Sequence, residues 1–120
     1  MEEQMRRELE QAEVDVEGAL SRCMGNESLY IRLLSRFTKD RNFEELAEGM
    51  MGKDTEKAFR AAHTLKGICG NLGFDGLLPC VERLTEAFRQ GELSEAERIF
   101  PEAEEKYAVL TAAIRRIGSC

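Results

Sequence analysis

One residue in this sequence is especially suited to chemistry. It is His63, the only histidine among 120 residues. Lys66 follows at i+3, and residues three or four apart are neighbours on a helix surface. A neutral imidazole nitrogen is a competent nucleophile toward phosphorus, and an ammonium group beside it can neutralise phosphoryl oxygens as negative charge gathers on them. The pair therefore indicates a site that receives a phosphoryl group and passes it on.

A helix must present this pair, and the spacing of apolar residues around His63 predicts one. At about 100° per residue the apolar residues fall within roughly 80° of one another, and His63 lies about 160° from the centre of their stripe. The imidazole is therefore predicted to face solvent, away from the core. The stripe consists of Ala58, Ala62, Leu65, Cys69 and Leu72.

Two glycines, Gly67 and Gly70, lie on the histidine's own side of this helix. Each costs roughly 1 kcal/mol against alanine in a helix interior, which favours a surface kept bare for a large partner. Phe59, Arg60 and Thr64 lie around His63 on the wheel and are predicted to contact the same partner. For Phe59 the alternative is packing at the edge of the core.

Composition limits the classes of function. The length predicts one domain, and 42% hydrophobic with 33% charged residues is typical of a globular protein. A net charge of −6 argues against nucleic-acid binding, which needs a basic face. No apolar run reaches the ~20 residues of a membrane span, and the first seven residues lack the apolar core of a signal peptide. A cytoplasmic location is expected.

Other catalytic and metal sites lack their signatures. There is no glycine-rich phosphate loop, and the glycines at 67, 70 and 73 follow a helical pattern instead of a strand. The cysteines show no C-x-x-C spacing, so Cys69 and Cys80 are predicted to be core residues, with Cys120 exposed. Acidic pairs such as 44–45 and 104–105 are predicted to be solvated helix charges.

Helix signals divide the first half of the chain. Short helices are predicted over residues 4–11 and 16–23, the second capped by Asp15 and ended by Gly25. Asn26 is predicted to cap one long helix from 27 to about 51. Its buried positions include Met50 and Met51, and the polar segment 38–42 is either a kink or a solvated turn.

Further caps divide the second half. Asp54 and Gly73 are predicted to begin and end the histidine helix. Asp75 is predicted to cap the next helix, with Pro79 in its first turn and Gly91 at its end. Ser94 and Glu97 form a capping box for the last helix, where Pro101 should cause a kink or split off the first turns. Residues 118–120 are expected to fray.

These elements predict an all-α fold. Leu, Ala, Glu, Arg and Met dominate, and all are strong helix formers. Short connections between long helices predict antiparallel neighbours, hence an up-and-down four-helix bundle preceded by one or two short N-terminal helices. The expected domain is residues 1–120, with the bundle core at about 26–117.

The motif around His63 resembles that of the histidine phosphotransfer (HPt) domains of bacterial multistep phosphorelays. The family pattern is close to H-x-L-K-G with a second glycine six residues later, and the chain has it at residues 63–67 and Gly73. Residues 15–20 and 25–30 also look like the family's approach to its first bundle helix. The resemblance covers roughly residues 12–117.

The resemblance implies a four-helix bundle that carries phosphate on a histidine between aspartate-bearing receiver domains. His63 would be the phosphoacceptor through Nε2, Lys66 would balance the phosphate charge, and Gly67 would let a receiver dock. The partners implied are response-regulator receivers and a hybrid sensor histidine kinase. Mg²⁺ would come from the receiver, and the chain would have no cofactor and no kinase activity of its own. A monomer is expected.

Three alternatives stay open at this stage. The chain could be a helical adaptor that binds receivers without passing phosphate. The presence of both His63 and Lys66 favours transfer over the adaptor function. A small enzyme using His63 as general base has no signal for an enclosing pocket. His63 could also be an ordinary surface histidine.

Overall fold

The computed structural model describes residues 1–118, which form seven helices. They are α1 (Glu3–Gln11), α2 (Val16–Arg22), α3 (Glu27–Phe37), α4 (Asn42–Met51), α5 (Thr55–Leu72), α6 (Leu78–Arg89) and α7 (Leu93–Gly118). Residues 1–118 contain no strand beyond a single antiparallel bridge between Val14 and Phe74. None of these helices is both long and apolar enough to cross a bilayer.

The predicted four-helix bundle is confirmed. Helix α4 packs on α5, α5 on α6 and α6 on α7, and these four are the helices of the bundle, while α3 packs against α7. Helices α1 and α2 are the predicted short N-terminal helices, and α1 packs mainly on α7, where Arg116 pairs with Glu8 at 2.7 Å. The buried stripes of all these helices join in one hydrophobic core.

The prediction of one long helix over residues 27–51 is wrong. Helix α3 ends at Phe37 and α4 begins at Asn42, with a turn between them. Within this turn Asp40 accepts hydrogen bonds from the backbone N–H and side-chain amide of Asn42, at 3.0 and 2.9 Å. An aspartate that bonds to the residue two positions on favours a turn over a continuing helix. The alternative of a turn is the correct one.

The local caps of α2, α3 and α5 were predicted correctly. The side chains of Asp15, Asn26 and Asp54 accept hydrogen bonds from backbone N–H groups at the starts of α2, α3 and α5. Gly25 and Gly73 adopt left-handed φ angles of 75° and 78° after α2 and α5, where a residue with a Cβ would be strained.

The N-caps predicted for α6 and α7 are wrong, whereas Gly91 follows α6 with a left-handed φ of 71°, as predicted. Helix α6 begins at Leu78 after Leu77 and not at Asp75, because backbone bonds to residues 13–15 occupy the segment 73–76. Pro79 does lie in its first turn, as predicted. Helix α7 begins at Leu93, since the N–H of Ala96 already bonds to the Glu92 carbonyl at 3.1 Å. Ser94 is therefore inside the helix.

Pro101 does not split the last helix, which runs unbroken from Leu93 to Gly118. Proline cannot donate to the carbonyl four residues earlier, here that of Glu97. Both Pro101 and Glu97 are on the exposed side of α7, where water can reach that carbonyl. Gly118 belongs to the helix, and the predictions for Ser119 and Cys120 lie outside the described residues.

The core contains the predicted cysteines, since Cys69 and Cys80 are both buried. Met50 is buried too, but Met51 is 86% exposed, so its assignment to the buried stripe of α4 is wrong. Met51 is the last residue of that helix and is followed by the exposed turn residue Gly52. The core thus surrounds the inner face of α5 and leaves its outer face free.

Candidate functional site

Helix α5 carries the candidate site, and its inner face is held by the bundle. All five residues of the predicted stripe are buried, from Ala58 to Leu72, together with Ala61. Near its start, a Cβ added to Gly49 of α4 would lie 2.8 Å from the backbone N of Ala58. The two backbones therefore approach as closely as a glycine permits, which fixes the position of α5 against α4.

The far end of α5 is fixed by hydrogen bonds to carbonyls that have no partner within the helix. The hydroxyl of Tyr30 donates to the Leu72 carbonyl at 3.0 Å, and Nε of Arg22 donates to that of Asn71 at 2.8 Å. The N–H of Asp15 donates to the Gly73 carbonyl at 2.7 Å, and a Cβ on Gly73 would lie 2.5 Å from the Asp15 carbonyl oxygen. Helices α2 and α3 thus hold the end of α5.

His63 is exposed, as predicted. Lys66, one turn along, is half-buried and makes no ion pair or hydrogen bond with any residue in the range 1–118. Gly67 and Gly70 are exposed as well, and a Cβ added to either would meet no atom within 4 Å. The structure therefore places an imidazole, an unpaired ammonium group and bare backbone together on one outer face.

The remaining predicted docking residues border this face. Arg60 and Thr64 are exposed, and Arg60 donates to Glu56 at 2.8 Å. Phe59 is half-buried, and its ring centroid is 5.8 Å from that of His63 with the planes tilted by 45°. Phe59 thus packs at the edge of the core, as the alternative predicted, and its ring also contacts the imidazole.

Two further groups, which the sequence did not identify, adjoin the site. From α6, the guanidinium of Arg89 lies 5.9 Å from the ring centroid of Phe59. From α3, Leu33 and Arg36 line a groove of about 160 Å³ with Ile68 and Asn71 of α5. The pattern of α6 does not show which residue of α5 Arg89 meets.

Charge and ionisation distinguish the side chains of this helix. Residues 57–71 contain Lys57, Arg60 and Lys66 but no acidic residue. Lys57 pairs with Glu48 and Arg60 with Glu56, so Lys66 is the unpaired cation of this segment. The thiol of Cys69 is on the opposite, buried side of α5, where burial, reinforced by the charges of Asp40 and Glu82, raises its pKa to about 12. It stays protonated at neutral pH and is a poor nucleophile. The exposed imidazole of His63 is therefore a better candidate nucleophile on this helix than the thiol of Cys69.

The described residues contain no group of three or more His, Cys, Asp or Glu side chains that could hold a metal ion. An exposed imidazole on a convex helix face also has no surrounding walls to exclude water from a reaction. The arrangement can exchange a group with a second protein that covers this face, because that protein can bring the missing walls and any metal.

A family model described as the Hpt domain matches residues 33–119, well over half of the chain. The matched range includes α4 to α7 and therefore the whole outer face of α5. No match to the chain was found among curated proteins or among solved structures. The chain belongs to the Hpt domain family, whose members take part in histidine phosphotransfer within the phosphorelays of two-component signalling.

Proposed function

We propose that His63 is the phosphoacceptor of this Hpt domain, taking a phosphoryl group from the aspartate of one receiver domain and passing it to another. The observation that carries the proposal is the outer face of α5. There, an exposed imidazole lies one turn from the unpaired Lys66 and beside the bare backbone of Gly67 and Gly70. A partner can therefore bring a phosphoaspartate up to His63 without meeting a side chain at either glycine.

The chemistry is a reversible, in-line displacement at phosphorus. The lone pair of Nε2 forms the N–P bond while the bond between phosphorus and the aspartate oxygen breaks, and that oxygen keeps the electron pair as a carboxylate. The imidazole proton stays on Nδ1 during the displacement. Lys66 neutralises charge on the phosphoryl oxygens, and the rigid attachment of α5 keeps the imidazole oriented.

The receiver completes the site in this mechanism. It supplies the aspartyl phosphate and the Mg²⁺ that such transfers use, and the Hpt domain needs no cofactor of its own. Within the described residues no side-chain cluster could hold that metal, which is compatible with this division. The chain is then a phosphocarrier, and a hybrid sensor histidine kinase supplies the phosphoryl group to the relay.

We also propose that residues 1–120 act as one domain, with the bundle core at about 26–117. A hydrophobic core that is continuous from Leu9 to Ile117 supports this. The proposed working form is a cytoplasmic monomer, since the outer face of α5 must be free for receivers to dock in turn.

A panel of purified receiver domains, phosphorylated with acetyl phosphate, tests the proposal. Each is mixed with the chain, and phosphoprotein is followed by intact mass and by stability to acid and base. We expect an acid-labile, base-stable phosphoryl group on the wild type. The His63→Gln variant should acquire none, because the chain has no other histidine, and its fold should be unchanged, because the ring is exposed.

Two results would contradict the proposal. Phosphorylation of His63→Gln to the wild-type level would place the acceptor elsewhere. Binding of receivers without any transfer, across the whole panel, would instead favour the adaptor function.

A further inference from the structure

Phe59 is in contact with two different groups at once. On its own helix it meets His63, four residues on, with a distance of 5.8 Å between ring centroids. From α6 it meets Arg89, whose guanidinium carbon lies 5.9 Å from the centroid of the same ring. The only aromatic neighbour of the histidine among the described residues is therefore also the contact of a cation from another helix.

Two features of α6 favour the position of Arg89. Arg89 is the last residue of α6, where the helix dipole favours a positive charge. Its Nη1 also donates to Glu86 at 3.0 Å, one turn earlier on the same helix. Phe59 is half-buried, and one side of its ring packs against the core. The guanidinium lies at the surface and limits the movement of the ring there.

We propose that Arg89 is a positioning residue for phosphoryl transfer, acting through Phe59. The cation–π contact holds the phenyl ring against His63, and the ring in turn limits the rotation of the imidazole, so that Nε2 is presented outward for attack. This inference rests on the proposed function of His63. It gives a residue of α6, outside the motif on α5, a part in the reaction.

Electrostatics favours the same residue. The two contacts place the guanidinium within about 12 Å of the imidazole, comparable to the Debye length of about 10 Å at 0.1 M ionic strength. A phosphoryl group on His63 adds negative charge to this surface. Arg89 is therefore close enough for a weak attraction, but positioning of the ring is the larger effect because it depends on contact.

Single-turnover transfer from a phosphorylated receiver, measured over a range of receiver concentrations, tests the proposal. Arg89→Gln removes the cation, and we expect the maximal rate to fall about two- to fivefold, equivalent to about 0.4–1 kcal/mol. The half-saturating receiver concentration should stay within twofold of wild type. Arg89→Lys should restore most of the rate. The matched control is Arg83→Ala, an exposed cation of α6 that faces Glu102 instead and should have no effect.

A double-mutant cycle with Phe59→Leu shows whether Arg89 acts through the ring. In the Phe59→Leu background, Arg89→Gln should cause no further loss. A loss of the same size in both backgrounds, or a rise in the half-saturating concentration, would mean that Arg89 contacts the receiver directly and would overturn the proposal.

A measurement without any partner separates this inference from the proposed function. The chain has one histidine, so its imidazole gives one set of ring ¹H–¹³C peaks. Arg89→Gln should shift these peaks and weaken the nuclear Overhauser effect between Phe59 and His63, whereas Arg83→Ala should not. Unchanged peaks in Arg89→Gln would overturn the proposal even if His63 is phosphorylated. Changed peaks would support the positioning contact even if no receiver transfers phosphate.

Discussion

Tyr30 of α3 donates a hydrogen bond of 3.0 Å from its hydroxyl to the carbonyl oxygen of Leu72, the last residue of α5. The tyrosine is completely buried, with 0% of its surface exposed. The bond links α3 to the end of the helix that carries His63. It also satisfies a buried carbonyl that has no partner within its own helix.

Tyr30→Phe should therefore destabilise the fold. Loss of the donor leaves the Leu72 carbonyl without this partner, at a cost of about 1–2 kcal/mol in the free energy of unfolding. Urea denaturation at neutral pH measures it. The control is Tyr107→Phe, because the hydroxyl of Tyr107 makes no hydrogen bond with the residues from 1 to 118, and we expect a change within about 0.5 kcal/mol. Equal losses in the two variants would argue against a specific role for the Tyr30 bond.

The fold should lose stability at alkaline pH. Burial raises the pKa of Cys69 from 9.0 to about 12, so between these values the folded state holds a proton that the unfolded state has released. Stability is then full below pH 9 and falls as pH rises, by up to about 1.4 kcal/mol per pH unit. Burial also raises the pKa of Tyr30, which adds a loss of the same sign above pH 10.

Cys69→Ala tests the thiol's share of this pH dependence. Urea unfolding from pH 7 to 11 should show the variant less stable at pH 7, because it loses a buried sulfur, with the gap to wild type narrowing as pH rises. Parallel curves would show that the thiol does not cause the alkaline loss.

Lys66→Ala should affect the phosphorylated state but not the fold. The ammonium group has no partner in residues 1–118, so its loss should change the free energy of unfolding by less than about 0.5 kcal/mol. We expect transfer to slow, or the phosphohistidine to hydrolyse faster, by roughly tenfold, or about 1.4 kcal/mol. Arg98→Ala, at an exposed cation of α7, is the control. A transfer rate and a phosphohistidine lifetime equal to those of wild type in Lys66→Ala would show that Lys66 has no part in the mechanism.

Gly67→Leu should separate stability from docking. A Cβ at this position meets nothing within 4 Å, and leucine is a better helix former than glycine by roughly 0.8 kcal/mol. We therefore expect an unchanged or higher free energy of unfolding, together with transfer at least about tenfold slower because the side chain obstructs the receiver. Ala108→Leu, on the exposed side of α7, controls for an added surface leucine. Transfer at full rate in Gly67→Leu would contradict the proposed docking face.

The sequence was sufficient where structure depends on neighbours along the chain. Asp54 and Gly73 mark the ends of α5 because an N-cap and a left-handed C-terminal residue act on their own helix. The outward direction of His63 follows from the stripe around Leu65 in the same way.

The sequence was insufficient where distant segments compete for the same groups. Asp75 and Ser94 both look like caps, but pairing with residues 13–15 and an earlier hydrogen bond at Glu92 decide where α6 and α7 begin. The contact of Arg89 with Phe59 also depends on how α6 faces α5. The roles assigned to His63 and its neighbours in the reaction remain predictions.

Gly49 gives a prediction that only the packing reveals. It is buried in α4, and a Cβ there would lie 2.8 Å from the backbone N of Ala58 and 3.0 Å from its Cα and Cβ. These are backbone-anchored atoms of α5, so they cannot move aside as a flexible side chain could. In an exposed helix, replacing glycine by alanine would raise the free energy of unfolding by about 1 kcal/mol.

For Gly49→Ala we expect a net loss of up to about 2 kcal/mol in the free energy of unfolding, because overpacking typically costs 1–3 kcal/mol. Transfer should slow as well, since Ala58 lies five residues before His63 and any displacement of α5 moves the imidazole. Urea denaturation and single-turnover transfer measure the two effects. Gly52→Ala is the control, since it lies on the exposed turn after α4 and its nearest neighbour, the Glu48 carbonyl, is 3.4 Å from the added Cβ. A Gly49→Ala protein as stable as wild type would mean that α4 and α5 can separate without cost, and that their close contact does not fix the position of the site.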